Sequence, residues 1–306
     1  MPWQMRAVPV VFATRWRDKM LRFAGLAFLR LAGIMLMASF AGAMLMRVAP
    51  GFASDDQELN SGLSAQSIQA IRQARLADAN IPRFYAQYLA ALVKGDLGTS
   101  RSLNQPVKDL LRERLPVTLF NLAFALAVGW LLGLALAVAA QTLRWPVLNF
   151  LANGLSGTFI STPAAALALL FLLLRLPPAL AAALLVFPKI YRYTQNLLEQ
   201  SSEMPHVLTA RAKGAGPLRV LAWHIAPIAL PQLIALIGVS ISIGIGVLLP
   251  IEVVSDVAGI GQLAWQAAQS RDLPLLINLT MIVTFVTVCA TLISDAAQRG
   301  FTRSAA

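Results

Sequence analysis

Four stretches of this chain run past twenty residues with no aspartate, glutamate, lysine or arginine. They are Leu115–Leu143 (29 residues), Trp145–Leu174 (30), Val220–Ile251 (32) and Leu273–Ser294 (22). A helix that crosses a bilayer needs about 20 mostly apolar residues. Phe23–Met46 adds 24 residues broken only by Arg30, and Leu176–Leu198 adds 23 with Lys189 and Arg192 in its second half. Trp145–Pro188 carries a single charge, Arg175, and Pro177-Pro178 supplies turn chemistry there, so this length reads as two crossings joined tightly. Helices satisfy their own backbone hydrogen bonds in lipid. The expectation is therefore an all-α polytopic membrane protein with six transmembrane helices. With 58% hydrophobic and 13% charged residues, against about 25% charged in soluble domains, a water-soluble globule and a disordered chain are both excluded.

The formal net charge is +11. On a soluble chain that would suggest nucleic acid; on a membrane chain it reflects basic cytoplasmic loops. With both termini on one side, that side holds Arg6, Arg15, Arg17, Lys19, Arg22, Arg144, Arg211, Lys213, Arg219, Arg299 and Arg303. Lys189 and Arg192 fall at the inner end of the fourth crossing. The short loops opposite carry only Arg175 and Arg271. The positive-inside rule makes the termini of such a multi-pass membrane protein cytoplasmic, and a basic balance placed this way calls for no nucleic-acid partner. Segment 47–114 holds nine more basic residues, but long loops translocate largely regardless of charge. An alternative for the start is a cleavable signal peptide ending at Ala41-Gly42-Ala43; its apolar run exceeds the usual 7–15 residues or so.

The expected layout follows: an N-terminal extension over 1–19, a first crossing over 20–46, an extracytoplasmic helical segment over 47–114, a five-helix core over 115–298 and a tail over 299–306. Within segment 47–114, Leu63–Ala79 reads as an amphipathic helix with Ser64 as N-cap. Phe84, Tyr85, Tyr88 and Leu89 form an aromatic patch at helical spacing, suited to anchoring on the membrane surface or, alternatively, to substrate contact.

Several chemistries are missing from the sequence. There is no Gly-x-x-x-x-Gly-Lys-Ser/Thr loop to cradle ATP phosphates and no His-Glu-x-x-His. One cysteine, Cys289, and two histidines, His206 and His224, give neither an intrachain disulfide nor a His/Cys metal cluster. Arg30, Arg175 and Glu252 are nearly the only ionisable groups in the crossings outside the fourth, which disfavours a proton- or sodium-coupled carrier. Gly154-Leu155-Ser156-Gly157 resembles the nucleophile site of rhomboid proteases, but that serine needs a histidine base inside the membrane, and both histidines lie at a loop. Gly129 and Gly133 form a GxxxG pattern that admits close helix packing with a partner the sequence does not identify; Gly238, Gly244 and Gly246 support the same or a hinge.

The loop 199–227 is the most informative stretch. Pro205 suits a helix first turn, and His206–Lys213 gives about two turns. Arg211 and Lys213 fall in the last turn, and Gly214 stands at the natural C′ position. A second helix begins near Pro217 and runs into the fifth crossing. A short basic-ended helix is thus presented to the cytoplasm, either as an ordinary loop helix or as a docking element.

At this loop the sequence resembles the membrane subunits of ABC importers. Thr209-Ala210-Arg211-Ala212-Lys213-Gly214, with His224 and Pro227 beyond it, is similar to the EAA loop of dipeptide and oligopeptide permeases of the DppB/OppB type. The resemblance extends in order through Met20-Leu21-Arg22-Phe23, Arg47-Val48-Ala49-Pro50-Gly51, Lys94-Gly95-Asp96-Leu97-Gly98-Thr99-Ser100, Leu115-Pro116-Val117-Thr118, Ile251-Glu252-Val253-Val254, Gly259-Ile260-Gly261 and Arg271-Asp272. It departs in a shortened outer loop near Arg175–Pro178, in Ala164–Ala166 where the family has aromatic residues after Ser-x-Pro, and in Ala297–Gly300 where it has Asp-Pro-Arg.

The resemblance implies the fold of an ABC type I importer permease, set in a bacterial inner membrane. It implies a subunit that is not itself an enzyme and binds no cofactor, with ATP and magnesium on its partners. Those partners are a second permease subunit, two ATP-binding subunits and an extracytoplasmic binding protein, all in contact with membrane lipid. Residues 209–214, His224 and Pro227 would couple to the ATPase. The implied cargo is peptide, with nickel, glutathione, an opine or an oligosaccharide as alternatives in the same architecture. A secondary carrier or a non-transporting scaffold are the readings outside it. Asn121, Ser161, Thr162, Ser240 and Ser242 are polar groups within crossings that could line a path, or bond their own helix backbones.

Overall fold

The computed structural model describes residues 11–48, 81–143 and 145–304. The expected helix Leu63–Ala79, Arg144 and the residues after Val48 in the Arg47–Gly51 element lie outside them. The described residues are almost wholly helical, with no strand beyond one isolated bridge between Thr99 and Pro106. We label the helices α1 (Val11–Val48), α2 (Ile81–Val93), α3 (Val107–Leu143), α4 (Pro146–Ser161), α5 (Ala164–Leu173) and α6 (Pro178–Ser202). There follow α7 (Pro205–Ala212), α8 (Pro217–Val220), a π-helical turn Leu221–Ile225, α9 (Ala226–Val254), α10 (Ile260–Gln269) and α11 (Leu273–Ser304).

Among the described residues, four spans are long and apolar enough to cross a membrane: Ala27–Leu45 of α1, α3, the continuous Pro217–Val254 unit and Leu273–Gly300 of α11. The third expected crossing is not one straight helix. It divides into α4 and α5, bent by 99°, and counts as a fifth span if the pair is taken together. The bend sits at Thr162-Pro163, both extended, with ψ of 124° and 136°. A proline ring pushes the preceding residue out of the α region and lacks the N–H to continue the ladder.

Helix α6 corresponds to the crossing with Lys189 and Arg192, and it is the most enclosed helix of the bundle. Ala181, Ala182, Ala183, Val186 and Tyr191 have no exposed surface. Lys189 and Arg192 occupy exposed positions, with Arg192 lying along α4. The partner of the GxxxG pattern is this helix, within the same chain. A Cβ at Gly129 would sit 3.3 Å from Val186, and one at Gly133 only 2.9 Å from Ile190 and 3.0 Å from the Phe187 carbonyl. The α3–α6 contact is thus close because two side chains are missing from it. Gly133→Ala is expected to lower stability by about 2 kcal/mol through overpacking, and Gly129→Ala by less. Thermal unfolding in detergent, followed by helicity, checks the order; equal effects would contradict this packing.

Two of the aromatic residues on α2 are not placed as membrane-surface anchors. Tyr85 and Tyr88 are buried and pack with Ala43, Leu273, Ile277 and Met281. The Tyr85 hydroxyl lies 2.6 Å from Ser39 Oγ and donates to the Leu36 carbonyl at 2.9 Å. Phe40 meets the Tyr85 ring edge-on at 5.5 Å. A tyrosine that pairs its hydroxyl, as Tyr85 does, buries favourably, and α2 is packed onto α1 and α11 through both rings.

Candidate functional site

Helix α3 spans the bundle from end to end. At its start Val107, Leu110 and Leu111 pack with Ile260 and Leu263 of α10. At its finish Gln141 and Thr142 border a cleft of about 280 Å³ shared with Arg211, Pro217 and Val220. The loop 199–227 is therefore at the end opposite α10.

In that loop, α7 has one buried face. Val207 and Ala210 pack among Tyr191, Leu197, Leu198, Val220 and Ile225. Its other face shows Thr209, Ala212 and Lys213, with Arg211 half-buried. Thr209 Oγ1 turns back to the Pro205 carbonyl at 2.9 Å. The end of α7 is a Schellman cap: Gly214 N–H donates to the Arg211 carbonyl at 2.9 Å and Ala215 N–H to the Ala210 carbonyl at 3.2 Å. Gly214 has φ of +81° with nothing within 4 Å of its missing Cβ, so conformation alone demands glycine here.

His224 lies in the π-helical turn, where Ala226 N–H reaches five residues back to the Leu221 carbonyl. Pro227, next along, has no N–H for the α pattern and its ring crowds the carbonyl four residues before it. The turn widens there and runs on into α9 without a break. Its widening brings His224 to 6.4 Å from His206 on α7, ring centre to ring centre. The expected loop residues 209–214, His224 and Pro227 thus lie together on one end of the bundle. Sequence reasoning missed the apolar residues around them: Leu208, Leu218 and Trp223 are 52%, 68% and 76% exposed. The signal was available, as large apolar residues inside an otherwise basic loop.

The path candidates lie on α3, at the α4–α5 bend and on α9, and four of the five bond carbonyls one turn back along the chain. Ser161 and Thr162 bond carbonyls of their own helix, Gly157 and Thr158, at the α4–α5 bend. Ser240 is buried and donates to the Leu236 carbonyl at 2.6 Å; Ser242 donates to Gly238 at 3.3 Å. Asn121 is half-buried on α3. Ser156 is fully buried, accepts from Arg192 Nε at 3.0 Å and reaches the Pro188 carbonyl at 3.4 Å. It serves helix packing, and the two histidines pair with each other at the loop.

At the opposite end the sequence islands converge into two polar knots. In the first, Thr118 on α3 accepts from Ile260 N–H at 2.8 Å, and buried Glu252 on α9 accepts from Gly261 N–H at 2.7 Å. Both oxygens cap the N-terminus of α10, where donors lack partners and the dipole favours negative charge. Gly259 and Gly261 lie against the Glu252 carboxylate, leaving no room for a Cβ. In the second, buried Asp272 caps α11 by accepting from Leu275 N–H at 3.1 Å. Its other oxygen accepts from Ser100 Oγ at 2.6 Å and from Ser102 N–H and Oγ, both at 3.0 Å. Asn278 donates to the Leu97 carbonyl at 2.9 Å, tying the same loop to α11.

A bundle with four to five helices long and apolar enough to cross a bilayer among the described residues is that of a multi-pass membrane protein. Residues 125–306, more than half of the chain, match the family of binding-protein-dependent transport system inner membrane components, and the chain belongs to that family. It is 27% identical over 292 residues to a Brucella suis protein named a putative peptide transport system permease, covering 86% of this chain and 91% of the relative. It is 26% identical over 298 residues to the dipeptide transport system permease protein DppB of Bacillus subtilis, covering 91% and 96%. A Lactococcus lactis protein of the same name is 24% identical over 295 residues, covering 90% and 94%. The DppB/OppB-type resemblance therefore holds along nearly the whole length.

Proposed function

We propose that this chain is the permease subunit of an ATP-driven peptide importer. Separate ATPase subunits engage α7, a second permease completes the path, and an extracytoplasmic binding protein delivers the cargo. The single observation that carries this reading is the capped helix α7, which ends in Thr209–Gly214 and feeds directly into the continuous Pro217–Val254 helix. The peptide cargo follows the names of the relatives. Arg211 and Lys213 would make charge-assisted contacts with acidic groups of the ATPase, flanked by the exposed Leu208, Leu218 and Trp223 as apolar contacts. In this reading the termini and α7 are cytoplasmic, the two polar knots face outward, and the chain makes six crossings with α6 as the fourth. Coupling is a rigid-body switch: closure of the ATPase pair moves the docked helices, and the bundle rocks with them. No bond chemistry falls to this chain.

The test is affinity purification of the tagged chain in mild detergent, with mass spectrometry of what accompanies it. The expected result is a second permease-like chain together with a P-loop ATPase. The ATPase alone is expected to be lost from the doubly substituted Arg211→Gln, Lys213→Gln chain. Recovery of the chain by itself, in a detergent that preserves such assemblies, would overturn the proposal.

A further inference from the structure

Between α1, α9 and α11 lies a cleft of about 460 Å³, lined by Arg30, Ile34, Ser242, Thr287, Val288 and Leu292. Its depth follows from helix register. A Cβ on Gly42 of α1 would sit 3.7 Å from Thr280 Oγ1 of α11. The two helices run antiparallel, so Arg30, twelve residues back along α1, lies about 18 Å further down, level with Thr291 and Leu292. Arg30 is thus inside the apolar Ala27–Leu45 span and about one turn from its Ala27 end.

The cleft offers one full positive charge and little else that is polar. Among the described residues no carboxylate pairs with Arg30. The hydroxyls of Ser242, Thr287 and Thr291 are spent on their own helices, donating to the carbonyls of Gly238, Val283 and Thr287. What they turn to the cleft is methyl, methylene and lone pairs. The chain neighbours of the lining are apolar and open: Leu29 beside Arg30 and Ile293 beside Leu292 are each 69% exposed. Apolar surface of this kind faces acyl chains, not water. A guanidinium in such a place is costly unless it reaches the headgroup layer or an anion reaches it.

We propose that this cleft is a binding site for an anionic phospholipid. The headgroup pairs with Arg30 in the fork geometry that guanidinium and phosphate share, and an acyl chain lies along Ile34, Val288 and Leu292. On the orientation given above, Arg30 is at the cytoplasmic leaflet, where anionic lipids carry the negative surface potential. The site concerns this chain's lipid shell and is independent of the cargo and of ATPase docking.

The probe is native mass spectrometry of the full-length chain released from micelles containing phosphatidylglycerol or phosphatidylcholine with identical acyl chains. Wild-type chain is expected to retain phosphatidylglycerol in preference. Arg30→Gln should reduce retention roughly fivefold, the worth of one basic contact near a charged membrane surface. Arg30→Lys should keep part of the preference. Val288→Phe, which narrows the acyl-chain part of the cleft and leaves the charge in place, should weaken it, with unchanged helicity showing an intact fold. Equal retention of the two lipids by wild type, or no change in Arg30→Gln, would overturn the proposal. So would loss of the preference on assembly with the second permease, which would make the cleft a subunit contact.

Discussion

Gly214→Asp is expected to abolish coupled uptake while the membrane bundle stays folded. At φ +81° a residue with a Cβ costs about 1–2 kcal/mol, roughly a 5- to 30-fold effect on the capped conformation. The side chain meets no neighbour, so nothing in the bundle is disturbed. The new carboxylate also sits at the C-terminal end of α7, where the helix dipole disfavours negative charge, and beside the cations of Arg211 and Lys213. Uptake by reconstituted vesicles, measured next to detergent unfolding of the same variant, separates the two effects. Gly214→Asn, neutral and more tolerant of the left-handed region, should retain part of the activity. Wild-type uptake by Gly214→Asp would remove the docking role of the loop.

Asp272→Ala is expected to be the most destabilising single change at the other end, by roughly 3 kcal/mol. It removes an acceptor used by two hydroxyls and two backbone N–H groups, all at a residue 1% exposed. Three distinct features fail together: the cap of α11, the fold of the 97–103 loop, and the tie between segments 170 residues apart in sequence. Limited proteolysis should open that loop first, and the accessibility of Cys289, half-buried further along α11, should rise only at global unfolding. Asp272→Asn keeps one acceptor and should lose less. If cleavage in the loop is unchanged in Asp272→Ala, the knot is not what holds it.

Much of the architecture was legible because the bilayer imposes length and apolarity on each crossing. The turn at Gly214 was legible because a helix end needs a left-handed residue. Lys189 and Arg192 lower the hydropathy of α6, which is not among the helices apolar enough to cross by length and composition, yet it is the most enclosed helix described. The α4–α5 bend had its cause in plain view at Thr162-Pro163. Tyr85 and Tyr88 were read as surface anchors because helical spacing of aromatic residues says nothing about what the stripe meets. The knots around Glu252 and Asp272 could not be read at all from local pattern. Their motifs stood in the sequence as separate islands, and only tertiary contact joins Thr118 to Ile260 or Ser100 to Asp272.

The unbroken run Pro217–Val254 has a mechanical consequence. It contains 38 residues, a rod about 57 Å long at the rise of an α-helix. One end adjoins α7, and the other carries Glu252 with its hold on α10. Such a rod is a lever. A tilt of roughly 10° about its Pro217 end would swing the far tip through roughly 10 Å. Motion too small to disturb the packing beside α7 would thus arrive at the opposite surface as a displacement about as wide as a helix.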